Sequence, residues 1–93
     1  MENLRKQVIS MQHKIKDLMD APKDPAAQQL NREVQGLEDD LQVSKTPRTI
    51  EDRVKRILQI IRGNAKAARI MNYEHLDMLE QWFENLRQQL RKM

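Results

Sequence analysis

The side chains in this chain that can do chemistry are few, and their spacing suits little of it. His13 and His75 are the only histidines, there is no cysteine, and no Glu-x-x-His or His-x-x-x-His spacing places two metal ligands on one helix face. Glu74, His75 and Asp77 bring ligand atoms close in sequence but not onto one face. Ser44, Thr46 and Thr49 have hydroxyls but no histidine near them to act as a base. Asp39, Asp40, Asp77, Glu80 and Glu84 are predicted to lie on solvent faces beside cations. That setting lowers a carboxylate pKa instead of raising it towards general-acid range. No glycine-rich phosphate loop is present. The reading is a non-enzyme with no cofactor and no metal.

The sharper pattern is electrostatic. By segment, the net charge is +1 for residues 1–21, −3 for 22–43, +6 for 44–71 and −1 for 72–93. No acidic residue occurs between Arg53 and Tyr73. On a helical projection the stretch 50–71 gathers Ile50, Val54, Ile57, Leu58, Ile60, Ile61, Ala65, Ala68 and Met71 on one wide face. Arg48, Lys55, Arg62, Lys66 and Arg69 fall on the opposite one. A cationic helix face of this kind can neutralise phosphates or meet an acidic partner, so Lys55, Arg62, Lys66 and Arg69 are candidate contacts for either. Asp77, Glu80 and Glu84 are predicted to return beside these cations and cancel part of their field. No helix-turn-helix turn precedes the segment. Nucleic-acid binding is therefore the second reading.

The elements that would position these groups follow from periodicity. Leu4, Val8, Met11, Ile15 and Leu18 step by four and three, the seam of a first helix. Pro22 and Pro25 break it, and Asp24 before Pro25 is a cap and first-turn pair for a second helix. Ala27, Leu30, Val34, Leu37 and Leu41 carry that helix, and each pairs with the first seam at a constant index total of 45. This is a single antiparallel register, with Arg5 and Lys6 expected beside Asp39 and Asp40. Residues 44–49 form a connector, with Thr49 expected to cap the third helix and Thr46 as the alternative. Thr46-Pro47 also has the form of a proline-directed phosphorylation site, though a cap explains it equally well.

The third helix is read as continuous through Gly63-Asn64, with a kink allowed there and Gly63 suited to a close helix crossing. Asn72 caps a fourth helix whose seam is Leu76, Leu79, Phe83, Leu86, Leu90 and Met93. It pairs back on the third at index totals of 143 or 144. The fold class is thus all-α, a single domain spanning 1–93. Hairpin one covers 1–43 and hairpin two covers 50–93, forming a small four-helix bundle that is expected to be oligomeric.

The third and fourth helices carry more apolar width than one seam needs. Ile60, Met71 and Trp82 are predicted to share one flank, Leu58 the other, and Ile70 to lie opposite the seam. Either the first hairpin covers these residues or a partner does. The narrow seams of helices one and two, which add only Ile9, Met19 and Val43, favour a partner. The leading function is therefore a protein–protein interaction or oligomerisation module, using Leu58, Ile60, Met71 and Trp82 to bind a second copy or another helical protein. No apolar run reaches the ~18 residues that cross a bilayer and no signal-peptide core is seen, so the expectation is a soluble cytoplasmic protein with no membrane partner.

Overall fold

The computed structural model describes residues 2–93; Met1, where the first predicted hairpin begins, lies outside them. Every described residue belongs to a helix or a short connector, and no strand occurs among them. The helices are α1 (Glu2–Leu18), α2 (Pro25–Gln42), α3 (Pro47–Ile60) and α5 (Tyr73–Arg91). Between α3 and α5 the third rod continues without a break through a π-helical turn (Ile61–Ala65) and one last α turn, α4 (Lys66–Ala68). Among the described residues no helix is long and apolar enough to cross a membrane.

Local chemistry sets the ends. Asp24 caps α2, its Oδ1 accepting from the Ala26 N–H at 2.8 Å, with Pro25 in the first turn where a missing N–H costs nothing. Asn72 caps α5 by accepting from the His75 N–H at 2.9 Å. At α3 the cap is Thr46, not Thr49. Thr46 Oγ1 accepts the Thr49 N–H, and Pro47 fills the first helical position. The connector is therefore shorter than the predicted 44–49, because proline at the first position starts the helix two residues before Thr49.

Two helix ends stop without glycine. Ser44 (φ 56°) and Arg69 (φ 51°) adopt the left-handed conformation that usually calls for it. Each is followed by the paired bonds of a Schellman stop: Ser44 N–H to Leu41 C=O with Lys45 N–H to Asp40 C=O, and Arg69 N–H to Lys66 C=O with Ile70 N–H to Ala65 C=O. This corrects the placement of Ile70. Chain reversal at Arg69 carries Ile70 into the core, where it is fully buried, instead of opposite the seam. The carbonyl of Ile70 then accepts from Asp20 N–H (2.7 Å) and Ala21 N–H (3.3 Å), tying the α1–α2 connector to the α4–α5 connector.

The core is built from the predicted seams. Leu4, Val8, Met11 and Ile15 of α1 meet the buried row Ala27, Leu30, Val34, Leu37 and Leu41 of α2. Leu76, Leu79, Phe83, Leu86 and Leu90 of α5 pack on α3. Partner indices fall as indices rise: Arg5 approaches Glu38, and Gln12 hydrogen-bonds Gln35 at 2.8 Å. The same holds from Lys66 and Asp77 to Arg91 and Glu51. The third rod is the central element, since α3 packs against both α2 and α5. Its register frays at both ends. Met93 lies beyond α5 and is exposed, and Ala68 is exposed because the wider π turn shifts the phase of the residues after it.

The α2–α3 contact was not foreseen. Arg53 of α3 lies across α2, its Nε 2.8 Å from Asp40 Oδ2 and its Nη1 2.7 Å from Glu33 Oε2. Glu33, Gly36 and Asp40 fall on one face of α2, and Gly36 leaves the space the guanidinium occupies. A Cβ added there would come within 2.7 Å of Arg53 Cζ and closer still to Nη1. The close approach expected at Gly63 occurs here instead, for nothing lies within 4 Å of a Cβ at Gly63. Asp40 is likewise not on a solvent face beside Arg5 and Lys6. It is buried, held by Arg53 and by Lys45 Nζ at 3.4 Å. Burial pulls the Arg53 pKa down, but the hydrogen bonds and charges of Asp40 and Glu33 outweigh it and hold it above its ordinary value.

Candidate interaction surface

The four predicted interface residues do not share one surface. Ile60 borders the α2–α3 groove with Gln29, Glu33 and Arg56 and is 8% exposed. Leu58 lies under Lys55, Arg62, Glu84 and Arg87 on the outer side of the α3–α5 pair and is 2% exposed. Met71 is buried in the connector before α5. Their apolar width is absorbed within the chain: α2 docks beside Ile60, and the side chains of Lys55, Arg62, Glu84 and Arg87 surround Leu58. Trp82 differs from the other three: it stays half-buried, its ring edge-on to Phe83 at 4.9 Å between centroids.

The basic face fares as its neighbours dictate. Arg62 pairs with Glu80 and Glu84, and Lys66 with Asp77 (3.1 Å) and Glu80 (2.8 Å). Lys55 is 4.0 Å from Glu51, one helical turn away. Arg69 lies over the Tyr73 ring at 4.8 Å. Lys66 first and Arg62 second hold the Glu80 carboxyl below its ordinary pKa, and Arg87 does the same for Glu84. These acids stay ionised and cancel the positive field of the third rod locally.

A different surface is left open. Along α1 and α5, Lys6, Gln7, Ser10, Met11, Lys14 and Trp82 border a cleft of about 410 Å³. α1 packs chiefly on α2, so this edge is where two helices of the bundle stand apart. Its floor is apolar, Trp82 with Met11, and its rim is cationic. Among the described residues neither Lys6 nor Lys14 has an acidic side chain within ion-pair distance, in contrast to Arg62 and Lys66. Periodicity could have located Met11 and Trp82 but not the opening between their helices. Lys14 carried no signal beyond being a polar position of the first helix, and Lys6 was expected beside Asp39 and Asp40, not at this cleft. No group of three or more His, Asp or Glu side chains able to hold a metal occurs among the described residues. His13 is exposed and His75 half-buried. Compared with protein-family models, curated proteins and solved structures, the chain finds no match.

Proposed function

We propose that the chain is a non-enzymatic helical interaction module. In this reading two antiparallel hairpins, 1–43 and 50–93, close into a four-helix bundle that binds a second copy or another helical protein along the edge carrying Trp82. The observation that carries it is the half-buried tryptophan in an open groove between α1 and α5. Tryptophan is costly to leave wet and is enriched at binding hot spots. Met78, one turn before it on α5, is half-buried as well, which extends the apolar edge. Leu58, Ile60 and Met71 lie apart from this edge and serve the bundle by packing within it.

Sedimentation velocity over a wide concentration range, on the chain and on Trp82→Glu, tests it. Self-association that the substitution weakens while the helical circular dichroism is unchanged supports the oligomeric form. A monomer at every concentration removes that form and leaves the helical partner. Association unaffected by Trp82→Glu removes the edge. The second reading, phosphate contacts through Lys55, Arg62, Lys66 and Arg69, requires these side chains to give up their carboxylates or their place on Tyr73. It predicts gel shifts of duplex DNA that fall steeply with salt and fail in an Arg62→Gln, Lys66→Gln variant.

A further inference from the structure

Arg62 and Lys66 of the third rod are paired with Asp77, Glu80 and Glu84 of α5, whereas among the described residues Lys6 and Lys14 on α1 make no ion pair and border an apolar floor. We infer that the α1–α5 groove receives an acidic amphipathic helix from a partner protein. The inference rests on the interaction-module reading and names the partner's chemistry.

Three features select this occupant. The cleft extends over about two turns of α1, from Lys6 to Lys14, beside Trp82 of α5, so a rod laid along α1 would place its apolar stripe over Met11 and Trp82. Lys6 and Lys14 are eight residues apart on one helix, about 12 Å along its axis. A partner helix with acidic residues at i and i+7 and apolar residues at i+3 and i+4 matches that separation, one acid at each lysine and the apolar pair over the floor. Among the described residues the indole N–H of Trp82 has no hydrogen-bond acceptor, and it can donate to the same partner. A nucleic-acid strand fits less well. Single strands are gripped by successive aromatic platforms, and the other two aromatics, Tyr73 and Phe83, are respectively at the start of α5 and buried in the core. A second copy fits less well too, because Asp77, Glu80 and Glu84 of α5 are engaged with Arg62, Lys66 and Arg87.

Trp82 is the only tryptophan, so its fluorescence reports the groove directly. The full chain is titrated with a synthetic helical peptide carrying Glu at i and i+7 and Leu at i+3 and i+4, free of Trp and Tyr. Controls are a scrambled peptide of the same composition and one with Lys in place of Glu. The expected result is a saturable change with the designed peptide, weakened about tenfold or more by Lys6→Glu, Lys14→Glu, since that swap replaces two exposed attractions with two repulsions. The Lys peptide should recover binding to the doubly substituted chain, a charge swap that general loss of fold does not produce. Equal binding of the scrambled peptide, or full binding to the doubly substituted chain, overturns the inference. So does a saturable response to an oligonucleotide or to anionic vesicles with none to the peptide. If the peptide fails while Trp82-dependent self-association is seen in the ultracentrifuge, the acidic-helix inference falls and the broader module reading stands. If both fail, both fall.

Discussion

Replacing Gly36 by alanine tests the α2–α3 contact, and the expected sign is unusual. Glycine inside a helix is about 1 kcal/mol worse than alanine, so on propensity alone Gly36→Ala stabilises α2. Against this, the new methyl occupies the place of the Arg53 guanidinium. The fork would have to lift away from Glu33 and from the buried Asp40. Hydrogen bonds to charged groups contribute roughly 1.5–3 kcal/mol each, and losing one of the two already exceeds the propensity gain. Lys45 remains near Asp40, and the Arg53 side chain keeps some access to water, which limits the penalty. The net expectation is a loss of about 1–2 kcal/mol, or roughly 5–15 °C in Tm for a domain of this size. Gly63→Ala, in open space and without a positive φ, is the matched control and should raise stability by up to about 1 kcal/mol. Thermal and urea unfolding followed by circular dichroism at 222 nm measures both. An Arg53→Met background completes the cycle: with the guanidinium gone, Gly36→Ala should become stabilising. A Gly36→Ala protein as stable as its parent would refute the argument that Arg53 is pinned over α2.

The other expectations follow from single features. Thr46→Ala should destabilise by about 1 kcal/mol and Thr49→Ala by much less, since only Thr46 supplies the cap; equal losses in chemical denaturation would return the cap to Thr49. Ser44→Gly should stabilise by about 0.5–1 kcal/mol, because Ser44 is an exposed residue held at positive φ; a neutral or negative change in urea midpoint would count against the helix stop described. The Glu80 pKa is lowered on folding, so its contribution to stability is present above the ordinary value near 4.5 and is lost as pH falls through the folded value below it. The stability difference between the parent and Glu80→Gln should therefore be full at neutral pH and close on acidification. A difference that stays constant down to pH 2 would show that the Lys66 and Arg62 pairs contribute nothing through Glu80.

The helices and their seams were legible because each rests on local signals. Three-four spacing fixed Val8, Leu37, Ile57 and Phe83 as core, and Asp24 and Asn72 announced their caps. Features that depend on chain reversal were not legible. Arg69 in the left-handed conformation sends Ile70 inward, and no propensity rule assigns that conformation to an arginine. The π turn at Ile61–Ala65 likewise cannot be seen in the periodicity, which continues to Ala65 and is then off by one residue, leaving Ala68 wet.

The more instructive failure concerns apolar width. Counting hydrophobic residues on α1 and α2 suggested that they had too little surface to cover the third rod. Arg53 shows why such a count misleads: α2 is fastened to α3 by a stripe of acid, glycine and acid that a hydrophobic tally scores as solvent face. Burying Asp40 carries a desolvation cost that a greasy contact avoids, and it is tolerable only because Arg53 and Lys45 reach it together. In return the contact is directional. An apolar seam can slide by a turn with modest loss, whereas a guanidinium bridging two carboxylates over a glycine has one register. That register sets where α2, and α1 packed on it, sit relative to α3 and α5. The opening between α1 and α5 that exposes Trp82 is thus fixed on the far side of the molecule, by the charged contact the sequence reading had assigned to water.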